Sequence, residues 1–136
     1  MTDEINSQEA LSAWVKQQFQ RANKHLAEKG ILFDTVVVEE SRYMAPEVAV
    51  WKIKDTKKNV YWVISGNLPA DAISVSVANS AREAIRHFSL SWQLKAQNIM
   101  SSAIVDNTQK EFATLLTEKA EMLYEVQENE KWWQTG

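Results

Sequence analysis

An α+β fold is predicted by two changes of hydrophobic period and by the turn-forming residues that stand at both changes. Apolar residues recur at helical spacing as far as Gly30, alternate at strand spacing from Ile31 to Ser65, and resume helical spacing after Ser80. The resulting architecture is an antiparallel three-stranded sheet packed on one face by three helices, in the order α-β-β-β-α-α.

The first helix is predicted to begin near Asn6 or Ser7, because Asn6 and Glu9 have the spacing of a capping box. Leu11, Trp14, Val15, Phe19, Ala22 and Leu26 fall on one side and form its core stripe. Gly30 tolerates the left-handed conformation that ends a helix. Residues 31–38 are apolar and β-branched, which favours a strand, and Met44-Ala45-Pro46 breaks it. Residues 48–54 make the second strand, with Ala49, Trp51 and Ile53 on one face. Residues 55–59 form a polar hairpin loop of ordinary length. The third strand, residues 60–65, sets Val60, Trp62 and Ile64 against Tyr61, Val63 and Ser65, and Trp51 and Trp62 are both assigned to the core face. Residues 67–79 are read as an ordered loop. Within them, residues 73–77 alternate as a fourth strand would, and residues 68–73 would suit a helical turn.

The second helix opens at Ser80, which pairs with Glu83 as a capping box. Its stripe is Ala81, Ile85, Phe88, Trp92, Ala96, Ile99 and Ala103. Asp106-Asn107 interrupts the pattern. Thr108 and Glu111 then predict the cap of a third helix, with Phe112, Leu115, Leu116, Leu123 and Val126 apolar and Glu118, Glu121, Glu125, Glu128 and Glu130 acidic. With no repeat, low-complexity tract or linker, residues 1–136 read as a single domain.

Composition narrows the function classes. A chain that is 45% hydrophobic and 24% charged has the makings of a core and is not a disordered one. Its net charge of −3 supplies no basic field, which argues against a nucleic-acid partner. The absence of cysteine excludes disulfides, thiolate metal sites and cysteine nucleophiles. Two histidines without cysteine argue against a metal centre, and three glycines leave little from which to build a phosphate loop. No dinucleotide fingerprint, Walker loop or nucleophile elbow is present, so no cofactor is expected. The acidic, polar start lacks the basic and apolar parts of a secretory signal, and no run is long enough to span a bilayer. A cytoplasmic protein without a membrane partner is the expectation.

One constellation stands apart from folding. Arg82 and Arg86 share a helix face continued by Ser89 and Gln93, with His87 beside them. Arg82 lies in the first turn, where the helix dipole disfavours a cation and a negative partner is called for. A bound anion would serve, and so would a carboxylate of this chain such as Asp71, Glu39 or Glu40. Arg82, Arg86, His87 and Gln93 are therefore the candidate ligand-binding residues, with none assigned as catalytic. His87 has no neighbouring nucleophile or metal motif to work with. Glu39 and Glu40 are adjacent on the predicted strand and point apart, so they do not converge as an acid–base pair. Lys52, Lys54, Lys57 and Lys58 lie near Trp51, Tyr61 and Trp62, a mixture that binds single strands elsewhere. Here the lysines read instead as solvated edge charges. Trp132 and Trp133 must pack on their own chain or on another.

The segments YWVISGNLPAD (61–71) and AREAIRHFSLSWQ (81–93) resemble a family of small bacterial proteins classed as a domain of unknown function. The resemblance extends over most of the chain. It implies a bacterial, cytoplasmic, stand-alone domain and carries over neither an activity nor catalytic residues. The sequence thus reads as a small binding or adaptor protein, with a protein partner or a second copy of itself. The alternative is a pocket protein or enzyme for a small anionic ligand held by Arg82 and Arg86.

Overall fold

The computed structural model describes residues 2–133, with side chains from residue 8 onward. It divides into two compact units, Met1–Ala81 and Arg82–Gly136.

The first unit is one helix on an antiparallel sheet. Helix α1 spans Thr2–Glu28, so it runs back through the predicted Asn6 cap. Its end follows the prediction. Gly30 has φ +78, Gly30 N–H donates to Ala27 O at 2.9 Å and Ile31 N–H to Leu26 O at 2.9 Å. That pair of bonds is a Schellman motif, and it satisfies the last helical carbonyls. Ala22 and Leu26 are fully buried and Trp14, Val15 and Phe19 pack partly buried against the same cluster, whereas Leu11 is 38% exposed, so the stripe holds from Trp14 onward.

The sheet has five strands, where the sequence predicts three or four: β1 (Phe33–Val36), β2 (Arg42–Met44), β3 (Val48–Asp55), β4 (Val60–Gly66) and β5 (Asp71–Ser74). The order is β1-β3-β4-β5, with β2 also paired to β3, and every pairing is antiparallel. The predicted first strand is cut short. A 3₁₀ turn at Val38–Glu40 breaks it, and β2 resumes against the other end of β3. Residues 67–79, read as a loop, contain β5 and a 3₁₀ turn at Val75–Val77 whose start is capped by the Ser74 hydroxyl. The alternation at residues 73–77 pointed to a strand and placed it about two residues late.

Register corrects one assignment about the core. Trp51 stands opposite Val63 and Lys52 opposite Trp62. Cross-strand partners share a face and consecutive residues alternate, so Trp51 and Trp62 lie on opposite faces of the sheet. Trp51 faces the α1 side, in a cluster with Ala22, Leu26, Ala49, Ile53 and Val63. Phe19 meets its ring edge-on at 5.4 Å. On the other face Val48, Val50, Trp62 and Ile64 are all fully buried. Apolar side chains therefore occupy both faces of the sheet, where the sequence predicts one core face.

Polar bonds lock these layers. Trp51 Nε1–H donates to Ser65 Oγ at 3.1 Å, and Ser65 donates to the α1 carbonyl of Gln18 at 2.9 Å. Trp62 Nε1–H donates to Ala78 O at 2.8 Å, tying the segment after β5 over that ring. Arg21 donates to the carbonyls of Gly66 and Leu68, fixing the exit of β4 to the helix. Gly66 itself has φ +134, and a Cβ there would meet Glu47 O at 2.4 Å. Only glycine fits that position.

The β3–β4 hairpin closes on Asp55. Its carboxylate accepts from the N–H groups of Lys57 (2.9 Å) and Asn59 (2.8 Å), with the Asn59 amide and Tyr61 hydroxyl at 3.4 Å. Burial raises the carboxyl pKa, but the bonds from Asn59, Lys57 and Tyr61 outweigh it and hold the group below its ordinary value.

The second unit is a helical hairpin of α2 (Ala81–Met100) and α3 (Asn107–Glu128), followed by a 3₁₀ turn at Glu130–Trp132. Helix α3 starts earlier than predicted. Asp106 caps it, accepting from Gln109 N–H at 2.8 Å while Gln109 Oε1 accepts from Asp106 N–H at 3.2 Å. Two capping boxes overlap in the sequence, Asp106/Gln109 and Thr108/Glu111, and the first one forms. On α2 the buried series Ile85, Phe88, Trp92 and Ala96 follows the predicted stripe, which ends before Ala103 because the helix stops at Met100. On α3 the buried residues are Ala113, Leu116, Ala120 and Leu123, while Phe112 and Leu115 are exposed. Ser89 Oγ donates to Ala120 O at 2.7 Å, joining the two helices at one buried point.

Candidate functional site

The α2–α3 hairpin carries all four sequence-predicted site residues, and it separates their fates. Arg82, at the head of α2, reaches the end of α3. Its Nε donates to Gln127 O at 2.8 Å, and its two terminal nitrogens meet Glu130 at 2.7 and 3.3 Å. The guanidinium also lies 5.8 Å from the Trp133 ring centroid. The hydrogen bond with Glu130 raises the arginine pKa against a smaller opposing effect of burial, and the same bond lowers that of Glu130. The carboxylate that answers the first-turn cation is thus Glu130, not Asp71, Glu39 or Glu40. Glu40 instead pairs with Lys52 at 2.9 Å, and Lys52 also lies 5.5 Å from the Trp62 ring centroid.

Arg86, one turn on, is exposed and has no ion-pair partner among the described residues. His87 is half-buried and stands edge-on to Phe88 at 6.4 Å. Gln93 is exposed and donates to Ser89 Oγ at 3.3 Å. Of the terminal aromatics, Trp133 donates to Val126 O at 3.1 Å, while Trp132 is 45% exposed. Among the described residues no group of three histidine, aspartate or glutamate side chains is placed to hold a metal ion.

Gln93 leads to a surface that the arginines do not reach. Along the hairpin run three adjoining depressions of about 370, 380 and 230 Å³. Their α2 wall is Leu90, Gln93, Gln97 and Met100, and their α3 wall includes Thr117, Glu118, Glu121, Tyr124 and Glu125. The spacing on each helix is three and four residues, which puts each set on one face. Leu94, one turn after Leu90, lines none of the three but is exposed beside them in sequence. Leu90, Leu94, Met100 and Tyr124 are 52, 58, 54 and 48% exposed. No lysine or arginine lines these depressions. The sequence signal was present but unused: Leu90, Leu94 and Met100 are apolar residues left over once the core stripe of α2 is drawn.

A second depression, of about 410 Å³, lies in the first unit among Leu11, Val15, Lys16, Phe19, Tyr43 and Trp51. Val15, Phe19 and Trp51 of the α1–sheet core are among its lining residues.

No helix is long and apolar enough to cross a membrane among the described residues. No curated protein and no solved structure matches the chain. One family model does, Domain of unknown function (DUF4826), over residues 8–133, and so takes in both compact units. Matched along nearly its whole length, the chain belongs to that family.

Proposed function

We propose that this chain is a small cytoplasmic binding or adaptor protein, acting as one domain, that engages a protein partner through the α2–α3 hairpin. The observation that carries this reading is the set of half-exposed apolar side chains, Leu90, Met100 and Tyr124, lining depressions that share Gln93 and Glu121, with Leu94 exposed one turn from Leu90. Single exposed apolar residues are ordinary, but a contiguous set marks an interaction surface. The test is a photo-crosslinking residue at Gln97, with Lys24 of α1 as the control position, in extract of cells that express the protein. The reading expects a discrete adduct from position 97 alone. Equal labelling from both positions, or none, sinks it.

The alternative, an anion held by Arg82 and Arg86, is favoured by the exposed Arg86. For it to hold, an incoming anion must compete with Glu130 for Arg82. A thermal-shift screen with inorganic phosphate and small carboxylates decides the matter. A shift that disappears in Arg86→Ala supports the anion site. No shift in the wild type, or an undiminished one in the variant, removes it.

A further inference from the structure

We infer that the groove along the α2–α3 hairpin takes a basic amphipathic helix of its partner, a commitment that rests on the hairpin being the protein-binding face. Three observations converge on that occupant.

The first is shape. From Leu90 to Met100 the groove follows ten residues of helix, about 15 Å at 1.5 Å per residue. Two parallel walls with side chains at three- and four-residue spacing are what a third helix packs into, ridge against groove. The second is backbone chemistry. Both walls are helices whose mid-helix N–H and C=O groups are already bonded within each helix, so the groove offers an extended peptide no ladder to join. An occupant that satisfies its own backbone, as a helix does, loses nothing on entry. The third is charge. Glu118, Glu121 and Glu125 line the depressions and no cation does. A partner helix with leucine-like residues for Leu90, Leu94, Met100 and Tyr124, flanked by lysine or arginine, meets both the apolar row and the carboxylates.

Charge also argues against a second copy of this chain. Two such grooves face to face would bring six glutamates together without a lysine or arginine among the lining residues. Like charges brought close in this way oppose association.

The experiment is fluorescence anisotropy with a labelled peptide of about 18 residues in which leucine and lysine recur at helical spacing. Two comparison peptides carry glutamate for lysine, or a central proline. The inference expects saturable micromolar binding of the first peptide and at least about tenfold weaker binding of both others. Glu121→Lys with Glu125→Lys should weaken the first peptide by a similar factor. Glu9→Lys with Glu28→Lys, which changes net charge equally on α1, should not. Equal binding of the lysine and glutamate peptides, equal loss in the two double variants, or no saturable binding up to about 1 mM overturns the inference. If the peptide fails while position 97 still crosslinks a partner, the hairpin remains the binding face and the helical occupant is wrong. If both fail, the binding-face reading falls with it.

Discussion

At the scale of single residues, the structure turns on a few positions whose chemistry admits no substitute. Gly66 is one: with φ at +134, a Cβ placed there would collide with Glu47 O, which leaves no room for a methyl group. Gly66→Ala should cost at least about 2 kcal/mol, measured by urea unfolding. Asp55 is another, and its effect is read through pH. Its pKa is held below the ordinary 3.8, so its contribution is complete above that value and is lost as pH falls through the lower folded one. His25 acts higher on the pH scale. Burial first, and then Lys29, lower its pKa below 6.5, against the opposing pull of Asp71 and Glu28. The folded state therefore resists protonating this ring, and stability falls as pH drops below 6.5. Melting followed from pH 8 to 3 should show both declines, with His25→Gln removing the upper one and Asp55→Asn lessening the lower, which Glu130 shares. A flat profile in the wild type would contradict both assignments. The residue-level surprise that the sequence does carry, a cation in the first turn of α2, is answered inside the chain by Glu130. Its partner was not legible because Glu130 lies 48 residues away, beyond any local pattern.

At the scale of elements, periodicity located the three helices and the β3–β4 hairpin, because those rest on long apolar series or on a polar turn. It failed where elements are short. β2 and β5 span three and four residues, too few for alternation to be told from chance. It also failed on faces. Trp51 and Trp62 look equivalent in sequence, yet the hairpin register sets them on opposite sides of the sheet. On α3 the apolar residues Phe112 and Leu115 stand exposed while the smaller Ala113 and Ala120 are buried, a distinction that apolarity alone does not make. Trp92 on α2 is 2% exposed, and Trp92→Ala should cost about 3–5 kcal/mol. A loss below about 1 kcal/mol would deny it a core role. Ser65→Ala should cost about 1–3 kcal/mol, because it strips the buried Trp51 N–H of its acceptor.

At the scale of the whole molecule, the family model covers residues of both compact units, and the single domain is part of the proposal. One domain predicts a single cooperative transition, with far-UV circular dichroism and tryptophan fluorescence coincident along urea. Two separated transitions would divide it. The proposed binding surface is the least legible feature at this scale. A core stripe announces itself by period, but a binding face appears only as what is left exposed after the core is packed. The central claim, that the hairpin face binds a protein, is tested most directly by crosslinking from Gln97 in the wild type and in the double variant Leu90→Asp with Leu94→Asp. The account predicts a discrete adduct in the wild type that is lost in the variant while melting temperature is kept, because both leucines are more than half exposed. An adduct of equal yield in both proteins would contradict it.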